Sequence, residues 1–218
     1  MEKNIAPNHS GAVRKALDIS ISAAITTNDL AEGPIQFSDE CTGARRAKII
    51  TASSLCCIAF EHQAAITFLV DHHRRTSAFA LLRPLFDAFW RSLWIAFVAN
   101  DDQVERFRQA KLDPKFETAR KKLDAIPGFP PLFGGIAKGG WERMSAFTHG
   151  SGLMTQRYFS ADVIAPAHAD EETIELLHNA GWLALATGIV FANVVERDIS
   201  PFDEALRKFT QEATHSFD

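Results

Sequence analysis

Two sets of residues in this chain have types and spacing that could do chemistry. The first is Arg143-Met-Ser-Ala-Phe-Thr-His149. On one helix these two side chains lie about 9 Å apart along the axis and off a common line, so they would not hydrogen bond directly but could line one cleft. A histidine near a helix C-terminus has its protonated form favoured by the macrodipole. A titrating histidine can give or take a proton, and an arginine can stabilise a phosphorane-like charge. Those are the parts of a metal-independent ribonuclease. The plainer alternative is a histidine that finishes a helix and an arginine on a solvated face.

The second set is Arg83, Asp87 and Arg91, at i, i+4 and i+8 in a run otherwise made of Leu, Phe and Trp. Charges on a central helix need partners or a cavity. Asp87 is placed to bridge both arginines by i,i+4 pairing. One reading is a salt-bridge ladder that clips a bundle; the other is an arginine-lined pocket for phosphate or carboxylate. Glu61 and His62 interrupt the middle of another long apolar segment; Glu61 could meet one of the arginines across a bundle, and the plainer reading is a satisfied or solvated pair. Glu175-x-x-His178 and Glu212-x-x-His215 match a di-metal spacing. The bridging glutamates such a site needs are not evident, so no metal is expected. No phosphate loop, nucleophile elbow or dinucleotide fingerprint occurs, so no cofactor is expected either.

Helices must position these residues. Periodicity is helical almost throughout, and no convincing set of alternating strands appears. A first helix is expected over 9–25, then a loop over 26–40 with a Gly33-Pro34 turn signal. A long helix is expected over 43–72, ending in the exposed corner Asp71-His72-His73-Arg74-Arg75. Thr76 or Ser77 is a natural cap for the next helix, to about Asn100, which is apolar nearly all round and therefore central. Pro84 lies inside it, so a kink or break is expected near 80–83. Shorter helices follow over 101–111 and over 114–125, the latter capped by Asp113. A Pro- and Gly-rich loop, a short helix over 141–148 ending at Gly150, and a loop with a possible extended stretch over 153–160 come next. A large helix over 171–197 and a terminal one over 201–213 complete the chain. The expected fold is all-α: a bundle of four or five major helices with additional short ones. The natural division is an N-terminal helix and loop, 1–42, and a helical bundle, 43–218, folded as one unit.

Composition agrees with a globular chain. Of 218 residues, 46% are hydrophobic, with 17 Phe and 4 Trp to fill a core. Disordered, collagen-like and disulfide-scaffold classes are excluded. The net charge of −4 argues against a dedicated nucleic-acid coat protein but permits a local basic site. Three cysteines, two of them adjacent, suit free thiols in a reducing cytoplasm. The longest nearly apolar stretch, about 16 residues over 180–195, is short of the roughly 20 a membrane span needs, so no membrane association is expected.

Two resemblances add to this reading. The segment Ser77 to Trp94, with Asp101-Asp-Gln-Val-Glu-Arg-Phe107, Trp141 to Gly150 and the helix from Glu171, resembles a bacterial all-helical family known as a domain of unknown function. That resemblance implies that Glu61, His62, Arg83, Asp87, Arg91 and His149 occupy recurrent polar positions. More loosely, Arg143 to His149 is similar to the arginine–histidine signature of HEPN domains, helical bundles that include ribonucleases of toxin–antitoxin and defence systems. The signature implies Arg143 and His149 as a catalytic pair, with RNA as substrate. Glu61, His62, Arg83, Asp87 and Arg91 are then candidates for binding RNA or a small anion. It implies a homodimer with a composite site and an antitoxin-like protein partner. The alternative expectation is a non-catalytic helical module that binds a ligand or partner.

Overall fold

A computed structural model describes residues 9–32, 35, 37, 41–127, 140–149, 152–160, 163–164 and 167–214, a few of them by backbone alone. The element order is α1 (Gly11–Ala31), α2 (Gly43–Asp71), α3 (Arg75–Phe97), α4 (Asp101–Arg108), α5 (Phe116–Leu123), α6 (Gly140–Thr148), α7 (Gly152–Gln156), β1 (Phe159–Ser160), β2 (Val163–Ile164), α8 (Asp170–Val194) and α9 (Ser200–Thr214). Five helices carry the bundle. The two strands are a two-residue antiparallel hairpin pairing Phe159 with Ile164 and Ser160 with Val163. The fold is all-α.

α3 is central because apolar side chains cover most of its surface. Leu85, Phe86, Phe89, Trp90, Leu93, Trp94 and Ile95 are all buried. They pack against α2 and α8 in one core that also takes in Val13, Ala16 and Leu17 of α1. The N-terminal helix is thus part of the bundle, not an appendage. A buried polar clip fixes it to α2. The Gln63 amide donates to the Ser20 carbonyl (2.9 Å) and lies 3.1 Å from both the Ser20 and Thr67 hydroxyls, which share a 2.8 Å bond.

α9 packs on α8 by shape. Gly181 and Gly188 lie seven residues apart on one face of α8, and Phe209 and Phe202 lie seven apart on α9. A Cβ at Gly181 would come within 2.5 Å of the Phe209 ring, and one at Gly188 closer still to the Phe202 ring. Glycine is required there so that the rings can approach the α8 backbone.

Several expected boundaries shift, each for a physical reason. α1 runs on through the expected loop to Ala31, because Thr27 is buried and its hydroxyl bonds back to the Ala24 carbonyl. α3 starts at Arg75, with Arg74 and not Thr76 or Ser77 at its cap; the Thr76 hydroxyl is used on His168 instead. α5 begins at Phe116 behind Lys115, because the expected cap, Asp113, is taken by Arg91. The stretch expected as extended over 153–160 opens with the short helix α7 and is strand only at Phe159–Ser160. α3 passes through Pro84 without a break. The expected Gly33-Pro34 turn and the Gly150 terminator lie outside the described residues.

Candidate functional site

Pro84 has no N–H, so the Ala80 carbonyl four residues earlier loses its helical partner. That carbonyl lies 3.3 Å from the Thr148 hydroxyl of α6, whose proton it shares with the Met144 carbonyl at 3.0 Å. One turn along, the Arg83 guanidinium donates to the Ser145 hydroxyl, also on α6. Phe147 completes the contact by packing on Phe79, ring centroids 5.0 Å apart. All three α6 residues fall between Arg143 and His149. The proline position of α3 is therefore the dock for the segment read above as a candidate catalytic motif.

Arg83 Nε also donates to Asp87 (3.1 Å), and the other Asp87 oxygen accepts from the Trp90 indole (2.8 Å). The Arg83 side chain is only 16% exposed. Asp87 does not bridge both arginines as its spacing suggested. Arg91 turns away, donating to Asp113 at 2.8 Å and lying over the Trp90 ring at 5.2 Å. The i+8 position has rotated by about 80° relative to Arg83, enough to favour a partner from the loop before α5.

His149 is exposed just past the end of α6, its backbone N–H on the Ser145 carbonyl (3.2 Å). It lies four residues after Ser145, hence on the same side of the helix. Arg143 sits within α6, but its side chain lies outside the described residues, as does that of Trp141.

Glu61 and His62 are not brought to this seam. The inward face of α2 carries Phe60, Gln63 and Ile66, which turns Glu61 out to solvent and leaves His62 half-buried at the edge. The expectation that Glu61 meets an arginine across the bundle is corrected accordingly. Burial lowers the His62 pKa, an effect that the Glu61 charge opposes.

One residue that sequence reasoning did not single out stands out in three dimensions. His168 precedes α8 and is 6% exposed. Its ring stacks on Phe79 (4.6 Å, 10° between planes) and its Nε2 is 2.9 Å from the Thr76 hydroxyl. Nδ1 is buried with no partner. Burial, first, lowers its pKa; the Arg157 and Arg75 charges act the same way and Glu172 opposes them. Those charges are themselves matched: Arg75 donates to Asp170 (2.9 Å) and Arg157 pairs with Glu172. A lone histidine in a loop carries no periodic signal, so only the packing shows its burial.

Other candidates give little chemistry. An open groove between α1 and α9 mixes Lys15 and Lys208 with Asp18 and Glu212. His178 of the first Glu-x-x-His is buried edge-on to Phe209; His215 of the second lies outside the described residues. Among the described residues no three His, Cys, Asp or Glu side chains gather as metal ligands. Cys56 is a core thiol, its pKa pushed up to about 12 by burial. By length and composition alone, α2 and α8 could each cross a membrane; 72% of the apolar window of α8 is buried in the bundle, and 39% of that of α2.

A family model described as a family of unknown function, DUF6988, matches residues 56–212. No curated protein and no solved structure matches the chain.

Proposed function

The chain belongs to the DUF6988 family, whose function is unknown, and from that premise we propose that the α3–α6 seam binds a phosphodiester and cleaves RNA without a metal. One observation carries this. Arg83 of α3 donates to Ser145, between Arg143 and His149, so two sets of residues far apart in sequence converge, with His149 exposed beside them.

The chemistry is an in-line transesterification. The ribose 2′ oxygen attacks the adjacent phosphorus, the bond to the 5′ oxygen breaks, and the products are a cyclic phosphate and a 5′ hydroxyl. His149 takes the 2′ proton as general base, and water protonates the leaving 5′ oxygen. Arg143 stabilises the phosphorane charge, and Arg83 adds positive potential at the seam. The reading is of a cytoplasmic ribonuclease of the toxin or defence kind, with a protein partner that restrains it. Three free thiols support the reducing setting.

The second reading is a non-catalytic binding module. It is favoured by the pairing of Arg83 with Asp87, and of Asp87 with Trp90, which spends the charge on holding the fold. The experiment is cleavage of a mixed RNA pool in chelator by wild type and His149→Ala. The ribonuclease reading expects cyclic-phosphate ends and a rate lowered by roughly 10²–10⁴ in the variant, with circular dichroism unchanged because His149 is exposed. Cleavage undiminished in His149→Ala, or no cleavage by wild type, overturns it; retention of RNA on a filter without cleavage selects the binding module.

A further inference from the structure

We propose that His168 is a latch on α6: its neutral ring holds that helix against α3, and protonation of the ring releases α6 while the rest of the bundle stays folded. Three rings from three elements meet at this point. The Phe79 centroid on α3 is 4.6 Å from that of His168 and 5.0 Å from that of Phe147 on α6, and the His168 and Phe147 centroids are 6.3 Å apart. Phe147 anchors its helix. It is 8% exposed, and no other side chain described on α6 is buried. α6 is nine residues long and meets the bundle chiefly along α3. Its docking therefore rests largely on this ring cluster and on the Ser145 and Thr148 bonds. His168 closes the cluster from the irregular residues just before α8. There the Ala167 N–H donates to the Arg157 carbonyl (2.6 Å), and the His168 carbonyl accepts from Arg75 (3.0 Å).

The site fits a neutral ring and not a cation. Nε2 lies 2.9 Å from the Thr76 hydroxyl, and Nδ1 is buried without a partner. A neutral imidazole has one N–H, and an Nε2–H on the Thr76 oxygen satisfies it. An imidazolium has two, and the second is left buried and unpaired. The charges around the ring do not rescue it. α3 brings Arg75, the residue after α7 is Arg157, and α8 brings Asp170 and Glu172. Both carboxylates are already paired, Asp170 with Arg75 and Glu172 with Arg157. α6 presents Phe147. The lowered His168 pKa, caused first by burial, agrees with this geometry. The proton that the closed form refuses is thus taken up when the ring leaves, and Phe79 loses the ring stacked on it. This release holds whatever the seam acts on.

The test is residue-resolved amide hydrogen exchange of the full chain at pH 7 and pH 5, corrected for intrinsic rates, for wild type, His168→Phe and His168→Gln. A free histidine titrates near about 6.5, so protection of α6 in wild type should fall by about 3- to 25-fold across that range. The α6 amides should open ahead of those of α2 and α8. His168→Phe keeps a ring that cannot take up a proton, so its α6 protection should change by less than about twofold. His168→Gln loses the stack as well, so its α6 should be as weakly protected at pH 7 as that of wild type at pH 5. Wild-type protection of α6 in His168→Gln overturns the anchoring role. Acid sensitivity of α6 equal to wild type in either variant overturns the protonation step. In wild type alone, α6 exchanging in step with α2 and α8 at both pH values overturns the local release. So does a His168 ring that NMR shows protonated at pH 5 with α6 still protected. None of these readouts depends on RNA cleavage.

Discussion

Asp87→Ala tests whether the charges at the seam hold the fold together. In the wild type one Asp87 oxygen takes the Arg83 Nε proton and the other the Trp90 indole N–H. Trp90 is 1% exposed, so its N–H is left without a protein acceptor when Asp87 is removed. An unsatisfied buried donor costs about 1–3 kcal/mol. Arg83 loses its counter-charge as well. The full loss for a buried pair, about 3–5 kcal/mol, is an upper bound here, because Arg83 keeps Ser145 and some solvent. The two effects together give a loss of about 2–4 kcal/mol. At about 2–4 °C per kcal/mol for a chain of this size, the melting temperature should fall by roughly 4–16 °C. Urea denaturation of wild type, Asp87→Ala, Trp90→Phe and the double variant isolates the indole bond. Trp90→Phe removes the N–H, so Asp87→Ala should cost about 1 kcal/mol less in that background. A variant within about 0.5 kcal/mol of wild type, the range of an ordinary surface change, would refute the reasoning.

Pro84→Ala returns an N–H to the Ala80 carbonyl and should stabilise the protein by about 1–3 kcal/mol, since proline inside a helix is about 3 kcal/mol worse than alanine. Thr148→Val should cost about 1 kcal/mol in wild type and less beside Pro84→Ala, because the Ala80 carbonyl is then satisfied within α3 while the bond to the Met144 carbonyl is lost in both backgrounds; an equal cost in both, measured by urea midpoints, rejects the dock. The His168 pKa is lowered in the fold, so below about pH 6.5 the unfolded chain takes up a proton that the native state refuses. Stability contributed by neutral His168 is thus complete above that pH and falls as pH falls toward the lowered folded value. His62 and His178 act with the same sign. Replacing His168 with Gln should flatten the slope of stability between pH 5 and 7; unchanged slopes in urea titrations at each pH show that His168 is not the group responsible.

The long helices were legible in the sequence because their apolar spacing is strict and long. α2 begins where periodicity places it and ends one residue early, and the central place of α3 follows from its all-round apolar surface. Where polar groups find their partners was less legible. Asp113 reads as a helix cap but serves Arg91; Thr76 reads as a cap but serves His168. Glu61 reads either as a solvated charge beside His62 or as a partner for an arginine across the bundle, and its exposure agrees with the first, since one residue of rotation decides which side of a helix faces inward. Each is a choice among local and distant partners of similar strength, and the tertiary fold makes it. His168 gave no local signal because its burial comes from Phe79, eighty-nine residues earlier.

The convergence at Pro84 shows where such reading can go further. A proline inside a helix is visible in the sequence, and so is the residue whose carbonyl it strips of a partner. That carbonyl lies inside an apolar helix and must be satisfied by something outside it. In this chain the helix interruption expected from Pro84 and the donor available at Thr148 were both legible, and the inference needed was that they answer each other. Arg83 beside the proline strengthens the case, because a guanidinium on a buried helix also has to find acceptors nearby. The Ser145–Thr148 turn of α6 answers both and lies between the two residues whose chemistry drew attention first.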